Sequence, residues 1–594
     1  MIHYRIIASD PKAHLFSVEM TLNQPKPKQQ LCLPSWLPGS YMVRDFCRNI
    51  IGINAKDSNG NIVELEQFDK QTWQVRGEPE QLIISYQVYA WDLSVRSAHL
   101  DTTHGFFNGS SVFLAAKGFD NSKHTVQIDK PFSDELKSWR LATSMTRTSG
   151  EHFAFGSFSA ENYDELIDHP VEMGDFTSTT FEANGIPHDI VLTGKHSADL
   201  ERLKVDLKAI CEYQLNLFGA PAPFERYLFL TTVLGNGFGG LEHRASTALV
   251  CSRSDLPYQG MDKMNKGYRT YLSLCSHEYF HNWNVKRIKP AEFTPYQLDQ
   301  ESYTRQLWAY EGITSYYDDY LTYRSGCVDK STYLEMFSET FTRVYRGQGR
   351  FIQTLKDSSF NAWTKFYKQD ENAANAIVSY YTKGALFALF LDLTIRKETD
   401  NKHSLEDIMR QLWQQFGVTQ QGTLENSHQQ LVEQLLNRDC SDIFAYLDST
   451  DDIPLAPLLD QFGIELKVRA ANGSKDTGGG DVQGDKVDFG ARVKAEAFGL
   501  KVLAVANNSA AHQAGLSAGD LLIAADGLQV NGEFENLLQQ QVIGLEIELH
   551  WFRRDELMTG VLPIQAARLD TVSLLISDEA KAKLWLNLKT SVER

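Results

Sequence analysis

At 594 residues the chain exceeds what one hydrophobic core organises, which points to three or four domains. A formal net charge of -18 argues against nucleic acid or an anionic membrane surface as a general partner. Seven cysteines without CxxC spacing read as reduced thiols rather than a disulfide framework.

Residues 1–165 read as an N-terminal β-sandwich. Phe16, Val18, Met20 and Leu22 alternate with polar neighbours, as do Ile84, Tyr86 and Val88, and turn signals such as Ser58-Asn59-Gly60 separate the strands. The start Met1-Ile2-His3-Tyr4-Arg5 lacks the basic and apolar pattern of a signal peptide, so a cytoplasmic location is expected. Pro34 to Tyr41 is a rigid aromatic loop, either a structural corner or a substrate-facing segment.

Residues 166–452 form the second expected domain. Ala198 to Leu217 has helical spacing, with Ser197 placed to cap it. Tyr227 to Val233 reads as a buried strand that leads into Gly235-Asn236-Gly237-Phe238-Gly239-Gly240-Leu241-Glu242. This glycine cluster lacks both the dinucleotide and the phosphate-loop context. Gly239 and Gly240 instead suit close approach of backbone to a ligand, with Glu242 aimed at it along an extended edge.

Tyr271 to Lys289 is predicted to be a buried helix. His277 and His281, four apart, fall on one face and can share a Zn²⁺, with Glu278 beside them as a base. A second helix, about Arg305 to Arg324, carries Glu311, thirty residues beyond His281, as a candidate third ligand that leaves a fourth position for water. A third, about Tyr381 to Lys397, contains the best apolar run, 385–393, which is too short for a bilayer and is broken by Asp392. No transmembrane segment is expected.

Gly473 to Gly484 reads as a mobile loop or linker. Within the third expected domain, 453–566, Gly499 to Val505 is a strand and Ser509 to Leu516 a short helix. The last part, 567–594, reads as a tail with a helix near Glu579 to Leu586.

HEYFH with LWAYEGITSYY resembles the gluzincin peptidases, although the gap to Glu311 is longer than in aminopeptidase N. The ordered set PSWLPGSYMVRDF, GFGGLEHR, HEYFHNWNVKRIKP and WAYEGITSYY, followed by AGLSAGDLLIAADG, is similar to the glycyl aminopeptidase family over nearly the whole chain. The resemblance implies a multidomain α+β architecture: a β-sandwich, a thermolysin-like mainly helical catalytic domain and a C-terminal PDZ-like domain. It implies one Zn²⁺ per chain held by His277, His281 and Glu311, with Glu278 as general base. Glu242 stands where relatives bind the substrate's α-amine, although their Met-Glu-Asn is Leu241-Glu242-His243 here. Tyr381, in a Tyr-x-Lys-Gly pattern, matches the oxyanion donor, with Tyr380 beside it as the alternative.

The activity this implies is removal of a small N-terminal residue, Gly or Ala, from peptides. A zinc endopeptidase and a catalytically idle scaffold remain alternatives. A PDZ-like domain implies a peptide C-terminus as a possible partner, received by Ala497-Phe498-Gly499-Leu500.

Overall fold

The computed structural model describes residues 2–587. The chain divides into two compact units. The first comprises Met1–Ser302 with Trp413–Thr423, the second Tyr303–Leu412 with Leu424–Arg594.

The first unit begins with β-sheet. Alternation places Ile2, Tyr4 and Ile6 on the inner face of the strand Ile2–Asp10, which pairs antiparallel with Leu15–Asn23 and parallel with His124–Asp129 in an eight-stranded sheet. Two four-stranded sheets pack against the same apolar core, so three sheets rather than two surround it. One of them contains Ala98–Leu100, His104–Phe107, Arg140–Thr143 and Val171–Gly174, so its last strand lies beyond residue 165.

A five-stranded sheet follows, in the order Thr177–Ala183, Ile186–Thr193, Tyr227–Leu234, Ser246–Ser252, Phe238–Glu242. Tyr227–Leu234 is buried almost throughout and runs parallel to both neighbours, as its unbroken apolar run requires. Phe238–Glu242 is an outer strand, at the edge opposite Thr177–Ala183. The crossover helix is Leu200–Phe218, and Asp199 rather than Ser197 caps it, accepting from the Arg202 N–H. The helix Lys266–Phe280 is tied down by Gln214, whose Nε2 donates to the Ser276 carbonyl, and by the Tyr271–Thr231 hydroxyl contact. It ends ten residues before Pro290, because Asn282 Nδ2 donates to the Tyr279 carbonyl and Arg287 captures the Asn282 carbonyl.

The second unit is helical as far as about residue 461. Asp392, the charge inside the apolar run, is fully buried and accepts from Tyr316 Oη, Arg396 Nε and the Leu405 N–H, so it anchors three segments. Further on, Ala491–Glu496, Gly499–Val505 and four more strands form a six-stranded sheet. Ala497 and Phe498 form the tight turn of its first hairpin.

Two expectations change here. The Gly473–Gly484 segment has no regular structure, yet it is pinned: buried Arg469 pairs with Asp476 and donates to the Gly479 carbonyl. The residues after 566 begin with a strand, Thr571–Ile576, paired with Ile464–Arg469. Its helix spans only Glu579–Ala582, and 588–594 lie outside the described residues.

Candidate active site

In the first unit, His277 lies in the last turn of Lys266–Phe280 and His281 occupies the C-cap. Their rings meet edge to face with centroids 4.6 Å apart. The Nδ1 of His281 lies 2.6 Å from the Asn284 carbonyl, which can only accept. The proton is therefore fixed on Nδ1, which makes Nε2 the lone-pair nitrogen.

Glu278 faces the outer strand. A Cβ on Gly240 would lie 2.5 Å from the Glu278 carboxylate carbon and nearer still to Oε1. Glycine at 240 is thus a condition for Glu278 to approach the strand. Gly239 has open space, its nearest neighbour being Arg96 Nη1 at 3.7 Å, and Arg96 Nη2 donates to the Gly240 carbonyl.

Glu242 closes this strand. It is buried, and donor atoms of Glu242, Glu278 and His281 lie within 4.8 Å of one another. Gly39 lies directly over the Glu242 carboxylate, where a Cβ would meet Oε1 at 2.5 Å, and its φ of +94° suits glycine alone. The aromatic loop is therefore a corner, with Trp36 Nε1 donating to the Gln297 and Gln300 carbonyls, whose Gly39 packs on the Glu242 carboxylate.

The turn after Glu242 is held by a buried ion cluster that the sequence reasoning missed. Asp168 receives Lys286 Nζ at 2.7 Å and the Arg244 N–H at 2.9 Å, and approaches His243 Nδ1 at 3.4 Å. Burial opposes ionisation of Asp168, but Lys286 and Arg244 hold its carboxyl well below the ordinary range. Burial, with Arg244 adding to it, brings Lys289 down to about 8. The basic run in HNWNVKRIKP was the available signal. Its partner, Asp168, lies more than a hundred residues earlier, beyond the reach of any local pattern.

In the second unit, Glu311 is buried within a π-helical turn, Trp308–Gly312, that continues into Ile313–Arg324. Single π-turns are frequent at functional sites. Gly312 meets Gly384 of the helix Thr382–Glu398, with a Cβ on Gly312 only 2.6 Å from the Gly384 Cα. The glycines of WAYEG and of Tyr-x-Lys-Gly therefore serve one helix crossing, which draws the two motifs together.

Tyr381 is half-buried at the N-cap of that helix, whereas Tyr380 is fully buried. Their rings are 4.7 Å apart, and both pack on Phe366. Burial, with Tyr367 and then Glu311 adding to it, raises the Tyr380 hydroxyl well above its ordinary value. Lys383 is buried with no hydrogen-bond partner for Nζ, and burial lowers its pKa. Of the expected residues, His277, Glu278, His281, Glu242, Gly239 and Gly240 gather in the first unit. Glu311 and Tyr381 belong to the second.

A helix carrying His277 and Glu278, with His281 at its cap, thus lies beside the strand Phe238–Glu242. Family models identify residues 3–175 as a peptidase M61 N-terminal domain and residues 270–387 as M61 glycyl aminopeptidase. A solved structure from Idiomarina loihiensis, described as an aminopeptidase N family protein, is 46% identical. It aligns over 99% of this chain and 100% of its own, with a TM-score of 0.96. A distant likeness at 13% identity and TM-score 0.49 is an M1 zinc metallopeptidase from Deinococcus radiodurans, covering 76% of this chain and 94% of that one. No curated protein matches the chain. The chain belongs to the M61 glycyl aminopeptidase family and is an aminopeptidase. No helix among the described residues is long and apolar enough to cross a membrane.

Proposed function

We propose that this aminopeptidase is zinc-dependent and removes a small N-terminal residue, Gly or Ala, from peptides. The observation that carries the reading is the gathering of Glu242, Glu278 and His281 beside the outer strand Phe238–Glu242. One Zn²⁺ per chain would be held by His277, His281 and Glu311. The donor set fits, since two imidazoles and a carboxylate suit zinc and the Asn284 carbonyl fixes the His281 proton on Nδ1. When bound, the ion supplies Lewis acidity toward the scissile carbonyl.

The peptide extends along the edge strand, and its ammonium pairs with the buried Glu242 carboxylate. The backbone at Gly39 stops any extension beyond that ammonium. Glu278 takes a proton from the attacking water and delivers it to the leaving amine. The Tyr381 hydroxyl donates to the developing oxyanion, an interaction strongest in the transition state. The thermolysin-like and PDZ-like assignments, the divisions at 452 and 566, a peptide C-terminus at the hairpin turn Ala497–Phe498, and a cytoplasmic location belong to the same proposal.

Glycine- and alanine-anilide hydrolysis tests this reading. Glu278→Gln should lose about 100-fold or more in kcat while keeping its zinc. Glu242→Ala should lose a similar factor in kcat/KM on free-amine substrates only. Equal cleavage of N-acetylated and free-amine peptides by the unaltered enzyme would make it an endopeptidase. Hydrolysis that withstands complete zinc removal would overturn the metal assignment.

A further inference from the structure

A second group of metal-type donors sits in the N-terminal sheets, apart from the residues described above. His99 lies on the strand Ala98–Leu100 and His104 on the strand His104–Phe107, with Asp101 in the turn that joins them. The pairing sets His99 opposite Phe106, and Phe106 opposite Glu172 of the next strand. His99, Phe106, Glu172 and His104 therefore share one face of this sheet. His104 stands opposite Gly174, where a Cβ would lie 3.0 Å from the Cβ of His104.

His99 is only 3% exposed and His104 7%. The Glu172 carboxylate, itself buried, accepts from His104 Nδ1 at 3.1 Å. That hydrogen bond fixes the tautomer and leaves Nε2 as the lone-pair nitrogen, the carboxylate–histidine relay found behind metal-bound imidazoles. His99 is poorly satisfied as a hydrogen-bonding residue. Its Nδ1 is buried without a partner, and its Nε2 is 3.3 Å from Asp101 Oδ2, beyond the usual range for a charge-assisted bond. Two ligands at about 2.0–2.1 Å from a tetrahedral ion stand roughly 3.3 Å apart, which is this separation.

Asp101 is set up to present that oxygen. Its Oδ1 accepts from the Thr103 N–H, the Thr103 hydroxyl and the His104 N–H, so the turn orients Oδ2 toward His99. Donor atoms of His99, Asp101 and His104 all lie within 4.8 Å of one another. The Asp101 side chain is 28% exposed and that of His99 4%. The Trp91 ring covers His99 with centroids 5.1 Å apart.

We propose that His99, Asp101 and His104 bind a second, structural Zn²⁺ that clamps the 98–107 hairpin, with Glu172 orienting His104. The site is independent of the peptidase reading and takes no part in hydrolysis.

The test is zinc counting after loading and exhaustive dialysis in metal-free buffer. The unaltered chain should hold two equivalents. His277→Ala should hold one, the His99→Asn/His104→Asn pair one, and the combination none. In the His277→Ala chain, added Co²⁺ should give the visible spectrum of a tetrahedral site and quench fluorescence. Trp91→Phe should remove most of that quenching, and zinc should raise the melting temperature. Because that background lacks the proposed catalytic histidine, failure there bears on this site alone. An unchanged zinc count in the His99→Asn/His104→Asn pair, or a Co²⁺ response in His277→Ala that survives those substitutions, would overturn the proposal.

Discussion

The environments of single side chains separate residues that look alike in sequence. Tyr380 and Tyr381 are adjacent, and Tyr-x-Lys-Gly spacing alone favours Tyr381 without excluding its neighbour. Tyr380 is sealed in the core, while Tyr381 is half-buried and has a face to offer a ligand. Tyr381→Phe should therefore lower kcat by roughly 100-fold with KM little changed. Tyr380→Phe should mainly alter the melting temperature. If the two kinetic phenotypes are exchanged, the assignment is exchanged with them. The histidines and glutamate of HEYFH were legible because a helix turns spacing directly into a shared face. Asp168 was not, since nothing near residue 168 announces a cationic partner at 286.

At the level of elements, the long periodic segments were read well and their ends were not. The helix expected to reach Lys289 stops at Phe280, because side-chain captures at Asn282 and Arg287 decide the end and apolar spacing does not record them. Sequence also shows that glycines cluster at 235–240 without showing which of them touches something. The structure separates them: Gly240 lies against Glu278, and Gly239 has room. Gly240→Ala should displace Glu278 and cut kcat/KM by about 10-fold or more, while Gly239→Ala stays within about twofold. Equal effects of the two substitutions would contradict this account of the edge strand. The Gly312–Gly384 crossing was likewise hidden, because the two glycines lie in motifs read separately.

Over the whole molecule, the buried histidines set the response to acid. Burial lowers His124, His188 and His428 to about 4, against an ordinary value near 6.5. Each stays neutral in the folded chain while its unfolded form takes up a proton. The stability they contribute is complete above about pH 6.5 and is lost as pH falls toward 4, on the order of 2–3 kcal/mol each. His124 and His188 belong to the first unit and His428 to the second, so both should weaken over the same window. Asp101 and Asp476, lowered to about 2, add a further loss only in stronger acid. Urea midpoints should fall steadily between pH 7 and 4.5, and a flat profile would contradict the burial argument. The β-then-helix order was readable from periodicity. The return of Thr571–Ile576 to pair with Ile464–Arg469 was not, because such pairing is set by register across a hundred residues.

The contact between Gly39 and Glu242 has a consequence for how such an enzyme would diversify. On the proposed reading, a peptide is measured from its end by a stretch of main chain, and main chain offers no rotamer that can swing aside. Counting to one is thereby uncoupled from tasting what the first residue is. Mutations that reshape a side-chain pocket can retune preference freely, while the gauge itself, fixed by Gly39, passes unchanged from one specificity to the next.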